Sequence, residues 1–212
     1  MKSAFGLSIP EQLQDTCTPS RCALLIYDMQ VGIVPQIEEG AAIVTQCQQL
    51  LGAARDRGFR VFFMRHFFLP NHLAGVGQLR RSMTWQGLSD PLKIRPMMPQ
   101  GSPACQIVPE LAPREDEVVI DKITMSAFEG TFLDIAMRDA HLESFVVAGI
   151  ALEIGIEPTV RQSLDLNYLP IVVTDACGSK TPQLKERSLA TLQDTGEVMT
   201  FTTAEVLSAM HL

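Results

Sequence analysis

Several apolar runs of this sequence end in residues that could take part in acid–base chemistry. CALLIYD ends at Asp28, EVVIDK ends at Lys122, and FRVFFMR ends at Arg65, directly before His66. A carboxyl group at the end of an apolar run should be partly desolvated, and a nearby ammonium group would supply the cation that such a carboxylate needs. Asp28 and Lys122 are therefore the candidate acid–base pair; the alternative is that each is a solvated charge at a strand end.

Two further strand ends carry fewer reactive groups. ESFVVAGI leads into a turn at 149–157 that contains glutamates and glycines but no cysteine, serine or histidine. LPIVVTD ends at Asp175, and Cys177 follows two residues later. Ligands of parallel α/β sheets bind beyond the carboxyl ends of the strands, so all of these residues are candidates for one site.

The runs that carry these residues alternate with stretches of helical periodicity. Gly58 suits a helix C-terminus and Pro158 the first turn of a helix. Crossovers this short force parallel pairing, with helices on both faces of the sheet. The predicted strands are 22–28, 59–65, 117–122, 143–150, 169–175 and 197–202, and the predicted helices are 38–58, 130–141, 157–167, 185–194 and 203–210.

Residues 67–116 break this alternation. Proline, glycine and polar residues leave no clear period there, and a long irregular insertion in a compact domain is more often functional than idle. We expect a lid over the site or a contact between subunits. Trp85, the only tryptophan, lies in this insertion beside Arg80 and Arg81, and it could cover a substrate or pack at a subunit interface.

The composition predicts one acidic, cytoplasmic domain over residues 1–212. The net charge is −7 and no lysine or arginine cluster exceeds a pair, which argues against nucleic-acid or anionic-membrane partners. No apolar run approaches the roughly 20 residues of a membrane span, and the first residues show no apolar segment of a secretory signal. Five cysteines without a CxxC pair suggest reduced thiols in a cytoplasm.

Three ordered motifs resemble the isochorismatase-like hydrolases, the superfamily that also holds the nicotinamidases and carbamoylsarcosine amidases. They are ALLIYDMQVG with Asp28, DKITMSAFEGTFLD with Lys122, and VAGIALEIGIEPTVRQSLDLNYLPIVVTDACGS. The resemblance runs from about residue 20 to the C-terminus and is weakest through 67–116. It implies a three-layer α/β/α sandwich around a six-stranded, mostly parallel, Rossmann-like sheet, a homodimer or homotetramer, and a non-proline cis peptide near Ala151–Leu152.

The resemblance places a glycine where most of the superfamily has its nucleophile. An Asp–Lys–Cys triad is usual there, and its thiolate attacks an amide carbonyl. In GIALEIG the position of that cysteine falls on Gly155, which has no side chain to attack with. Relatives often carry a small residue or a cysteine at the position of Cys177 without using it as the nucleophile, so Cys177 is not expected to replace it.

Isochorismatases proper also carry Ile-Gly at this point, as Ile154–Gly155 does here. Their reaction is the hydrolysis of an enol ether, which needs a proton donor and water. By resemblance, Asp28 would protonate an enolpyruvyl group, Lys122 would hold a substrate carboxylate or tune Asp28, and Gly155 would leave room for the substrate ring.

The sequence departs from the siderophore-type isochorismatases just before this glycine. Those proteins have an aromatic residue and a histidine, whereas this chain has Ala151-Leu152-Glu153. Glu153 would add a negative charge near Asp28, which suits a neutral or cationic substrate better than a dicarboxylate. The alternative is that Glu153 points away and pairs with Arg161 or another surface cation.

The remaining predictions concern the walls of the site. Arg65 is predicted to bind an acidic group, Phe128 to form an apolar wall, and His66 to line the pocket or pack beside it. Nicotinamidases hold a metal through Asp-x-His, where this chain has Met64-Arg65-His66, so we predict no metal and no cofactor.

The leading hypothesis is therefore a cofactor-free, small-molecule hydrolase that uses Asp28 and Lys122 with water. Hydrolysis of an amide by direct attack of water is a variant of it. The competing hypothesis is a member that kept the pocket, lost the nucleophile and serves as a ligand-binding or sensing protein.

Overall fold

The computed structural model describes residues 1–210, so the last two residues of the predicted domain lie outside the described residues. None of its helices is long and apolar enough to cross a membrane. The strands are β1 (Lys2–Ala4), β2 (Leu7–Ile9), β3 (Cys22–Tyr27), β4 (Arg60–His66), β5 (Val118–Lys122), β6 (Ser144–Ile150), β7 (Leu169–Gly178) and β8 (Met199–Phe201), and the α-helices are α1 (Gly40–Asp56), α2 (Val76–Gln86), α3 (Leu133–Asp139), α4 (Glu157–Asp165), α5 (Pro182–Asp194) and α6 (Thr203–Met210).

One six-stranded sheet organises the described residues, with the order β5-β4-β3-β6-β7-β8 and parallel pairing throughout. The predicted α/β fold is confirmed. The chain builds outward from β3 to β5 in one direction and from β6 to β8 in the other. The strand order therefore reverses between β3 and β6, and the crevice at such a reversal is where open α/β sheets bind ligands.

The sheet separates two apolar cores because its central strand is apolar on both faces. Leu24 and Ile26 of β3 pack on one side with residues of α1 and α6. Leu25 and Tyr27 face the other side, where residues of α3, α4 and α5 cover the sheet. Alternate side chains of a strand point to opposite faces, so the run CALLIY serves both layers at once.

Two elements lie where the sequence predicted none. An exposed antiparallel hairpin, β1–β2, precedes the sheet. The insertion predicted as irregular contains α2, which ends at Gly87 in the left-handed conformation (φ +64°). Ser82 is the one fully buried residue of α2, so the helix has no apolar stripe that a periodicity could reveal.

The end of β7 corrects the placement of Asp175. The predicted strand stopped at this residue, but β7 continues to Gly178, with an irregular register between Val147 and Gly149 of β6. The Asp175 carboxylate accepts hydrogen bonds from Thr203 N at 2.7 Å and Thr203 Oγ1 at 2.8 Å. It therefore fixes the start of α6 and does not belong to the candidate site.

We expect Asp175→Ala to lower the free energy of unfolding by about 1 kcal/mol, because the first turn of α6 loses its acceptor. Asp175→Asn keeps an acceptor oxygen and should recover most of this loss. Chemical denaturation of both variants measures the difference, and an Asp175→Ala protein as stable as the unchanged chain would contradict the capping role.

Candidate active site

Asp28 and Lys122 meet at the carboxyl end of the sheet. Lys122 Nζ donates a hydrogen bond to Asp28 Oδ2 at 2.8 Å, and the two side chains are 1% and 10% exposed. Asp28 follows β3 directly and has a left-handed backbone (φ +47°). Lys122 ends β5 opposite His66 of β4, so the order of the strands brings these side chains to one edge.

Burial controls the charge of this pair. Desolvation raises the pKa of Asp28, and the adjacent Lys122 ammonium opposes that rise. Desolvation also lowers the pKa of Lys122, against the attraction of Asp28. Asp28 Oδ1 is buried and finds no hydrogen-bond partner among residues 1–210. One oxygen of the carboxyl group is thus held by lysine while the other remains available.

Asp28, the residue that carries this free oxygen, lines a cavity of about 210 Å³. Asp28 and His66 contribute polar groups to its lining, Gly155 also lines it, and the lining is predominantly apolar. The residues that complete the lining are Ile33, Gln36, Ile37, Phe68, Trp85, Met97, Met98, Met125, Ile150, Ala151, Ile154 and Lys180. A cavity of this composition suits a small ligand with one polar reacting group.

His66 lines the cavity as a neutral imidazole. Burial, together with the positive charges of Lys122 and Arg81, lowers its pKa to about 3, although a hydrogen bond to the Thr124 backbone acts in the opposite direction. Within the described chain its Nε2 atom is buried without a partner, and its ring meets the ring of Phe68 edge-on at 4.9 Å. We assign the ring proton to Nδ1, which leaves Nε2 as an acceptor.

Tyr27 fills the space beside Gly155. A Cβ atom at position 155 would lie 2.5 Å from both Cε1 and Oη of Tyr27. Tyr27 is fully buried, its hydroxyl donates to the Met125 carbonyl, and Lys122 Nζ lies 4.4 Å from the centre of its ring. Gly155 lines the cavity, and Tyr27 occupies the space into which a side chain at this position would point; the room for a substrate ring stays a prediction.

Two residues predicted to contact the substrate lie outside the lining of the cavity. Arg65 makes a two-pronged ion pair with Asp121, at 2.6 and 3.0 Å, on the strand neighbour opposite it. Phe128 is 5% exposed and packs in the core, with ring centres 5.5 Å from Tyr168 and 5.9 Å from Phe145. Neither residue lines the cavity, because adjacent strand residues face opposite sides of the sheet and the loop turns Phe128 inward.

Glu153 is also outside the lining. Its Oε1 atom accepts a hydrogen bond from the Lys180 backbone nitrogen at 3.0 Å. The alternative partner Arg161 is not paired with Glu153, because Arg161 binds Glu157 at 3.1 Å. Glu153 therefore ties the turn that contains Gly155 to the loop before α5.

Trp85 of α2 lines the cavity and remains 46% exposed. Its ring centre is 6.1 Å from that of Phe68, and the Arg81 guanidinium lies within 5.5 Å of both rings. The insertion thus contributes aromatic residues to the wall of the cavity, with Arg81 packed behind them; a lid and a contact with another subunit both stay predictions.

No cysteine is among the described residues that line the cavity, and all five thiols are buried. Cys177 packs against β6, where its Sγ contacts the Val147 carbonyl at 3.6 Å, and burial raises its pKa to about 12. A thiol with so high a pKa is a poor nucleophile.

The cis peptide bond lies at Ile150–Ala151, one bond before the predicted place.

Sequence reasoning missed Tyr27 and the methionines of the cavity. In the sequence, Tyr27 looks like one more apolar residue of β3. The one available signal for a role in the site was its phenol directly before Asp28. Met97 and Met98 come from the insertion, where no periodicity indicates the direction in which a side chain points.

Within residues 1–210, no three His, Cys, Asp or Glu side chains are grouped as a metal site.

The comparisons with known proteins agree with the fold. A model of the isochorismatase domain matches residues 22–204. The chain therefore belongs to the isochorismatase family.

Relatives within this group differ in their named activities. The chain is 29% identical over 171 residues to the isochorismatase family protein YwoC of Bacillus subtilis, covering 80% of this chain and 84% of the relative. It is 25% identical over 185 residues to the ureidoacrylate amidohydrolase RutB of Serratia proteamaculans, covering 80% and 75%. The structure of a cysteine hydrolase from Pseudomonas syringae pv. phaseolicola superposes with a TM-score of 0.77 at 26% identity, covering 92% and 94%.

The lowered pKa of His66 predicts acid sensitivity. The unfolded state takes up a proton near pH 6.5, whereas the native imidazole stays neutral down to about pH 3. The protonation of His66 therefore does not reduce the free energy of unfolding above pH 6.5. Between roughly pH 6 and pH 4 it lowers the free energy of unfolding by about 1.4 kcal/mol for each unit that the pH falls. Denaturation of the unchanged chain and of His66→Gln across this range measures the slope, and equal slopes would contradict the assignment.

Proposed function

We propose that this protein is a hydrolase that works without a thiol nucleophile and cleaves a small enol ether by acid catalysis. The observation that carries the proposal is the buried Asp28–Lys122 pair, whose free carboxyl oxygen belongs to a cavity without a cysteine in its described lining. Membership of the isochorismatase family supports hydrolysis as the class of reaction.

The first step is protonation of carbon. Burial raises the pKa of Asp28, and in its protonated form its Oδ1–H would give its proton to the methylene carbon of the enol ether. The electron pair of the C=C bond forms the new C–H bond, which leaves an oxocarbenium ion. Lys122 would remain on Oδ2 and steady the carboxylate as it forms.

The second step is capture by water. Water adds to the oxocarbenium carbon and returns a proton to Asp28. The hemiketal then breaks the C–O bond to the ether oxygen, and the hemiketal hydroxyl proton moves to that oxygen, which releases a ketone and an alcohol. His66 Nε2, a buried acceptor in the cavity lining, would hold one hydrogen of that water. With a pKa of about 3, His66 acts here as a hydrogen-bond acceptor and not as a store of protons.

A second candidate reaction is hydrolysis of an amide by direct attack of water. The named activity of the relative RutB, a ureidoacrylate amidohydrolase, favours it. In this site the same pair would act, with Asp28 as the base for water. Ureidoacrylate is therefore the second substrate to try, with its disappearance as the measurement.

We expect the purified protein to release pyruvate from isochorismate and Asp28→Asn to lose at least about 100-fold of kcat/KM, because the proton donor is gone. Asp175→Asn is the matched control, since Asp175 lies away from the cavity. Lys122→Met serves as the second variant if Asp28→Asn is unstable. Full activity in Asp28→Asn, or no release by the unchanged chain, would contradict enol-ether hydrolysis; saturable binding without turnover would point to a binding protein.

We also expect kcat/KM to fall as the pH rises through the elevated pKa of Asp28, since only the protonated carboxyl group can donate. A thiol-dependent enzyme would behave in the opposite way, because its thiolate fraction grows with pH. A pH–rate profile of the unchanged chain distinguishes the two, and a rate that increases above neutral pH would overturn the acid mechanism.

A further inference from the structure

We propose that Tyr27 is the residue that excludes a side-chain nucleophile from this site, because its ring occupies the volume that any side chain at position 155 would need. Tyr27 is thus a positioning residue, and Gly155 is the consequence of its packing. The inference deepens the proposed function and rests on it only for its chemical meaning; the packing itself requires no substrate.

Space, and not backbone conformation, accounts for the glycine. Gly155 does not have a positive φ, so other amino acids can adopt its backbone conformation. The nearest atoms to a Cβ at this position are Cε1, Oη and Cζ of Tyr27, at 2.5, 2.5 and 2.8 Å. Real Cβ atoms do not approach neighbours so closely, so a side chain here requires the ring to move.

The ring has little freedom to move. Tyr27 is fully buried in the core beneath α3, α4 and α5, and its hydroxyl is held by the Met125 carbonyl. Thr159 fixes the other side of the contact, since its Oγ1 donates to the Gly155 carbonyl at 2.7 Å and accepts from Ala127 N at 2.9 Å. The ring and the turn are therefore both anchored.

The same ring contacts the catalytic candidate. Lys122 Nζ lies 4.4 Å from the centre of the Tyr27 ring while it donates to Asp28. An aromatic face stabilises an ammonium ion, most strongly when both are desolvated. Tyr27 thus places a phenol beside Lys122, where a reacting side chain would otherwise lie. Burial raises the pKa of this phenol, which keeps it protonated and unreactive.

A double-mutant cycle on Tm tests the packing. Gly155→Ala should lower Tm by about 5 °C, as overpacking does in a domain of this size. In the Tyr27→Leu background, where the three contacting atoms are gone, the same substitution should change Tm by less than about 1 °C or raise it, because alanine favours helical conformations. Tyr27→Phe is the matched control: it keeps Cε1 and Cζ and should keep most of the loss.

A thiol placed at position 155 tests the chemical meaning. Gly155→Cys with Tyr27→Leu should react rapidly with iodoacetamide, and Gly155→Cys alone should not, while the five native thiols give little background because they are buried. The pH dependence of the alkylation rate should give a pKa below the ordinary thiol value of about 8.5, since Lys122 lies nearby. A purely structural role of Tyr27 would not produce this pH profile.

Two results would overturn the inference. One is an equal loss of Tm on Gly155→Ala with and without the Tyr27 ring, and the other is equal alkylation of Gly155→Cys in both backgrounds. The outcome for the proposed function is separate: coupling in the cycle together with no pyruvate release by the unchanged chain would support the role of Tyr27 and remove enol-ether hydrolysis.

Discussion

The ion pair between Asp28 and Lys122 is the constraint around which the site is built. Moving a carboxylate and an ammonium out of water costs several kcal/mol for each ion, and this cost is recovered only if the geometry is good and further contacts are made. The pair joins β3 to β5 across the end of β4, a span of about 10 Å between strands that the long lysine side chain bridges. The register of all three strands must hold for the 2.8 Å contact to form.

Burial and the positive charges near this pair control the charge of His66. Burial lowers the pKa of His66 most, and Lys122 and Arg81 act in the same direction, so the imidazole remains neutral near neutral pH. For Asp28 the two influences oppose each other, because burial raises its pKa while Lys122 lowers it. The cavity thus combines a carboxyl group that can hold a proton with an imidazole that cannot, which is the division of roles that acid catalysis with water requires.

The sequence predicted the fold and the Asp28–Lys122 pair because strand ends are marked by a change from apolar to charged residues. It failed where the direction of one side chain decides the outcome. Arg65 and His66 are neighbours on β4, yet they point to opposite faces, and the pattern favoured the wrong one. The insertion offered no period to read, so the orientation of Met97 and Met98 could be found only in the structure.

Gly155 shows why a missing side chain has to be interpreted in three dimensions. Removing a nucleophile from a buried site would leave a void beside a lysine, and such a polar void would admit water next to the acid. Here the Tyr27 ring occupies that volume on the side of Gly155, next to Lys122. A reacting water would then approach from the open cavity, where His66 Nε2 is an unoccupied acceptor among residues 1–210. In the proposed mechanism the tyrosine would therefore restrict both the nucleophile and its direction of attack, and neither restriction is visible from the glycine alone.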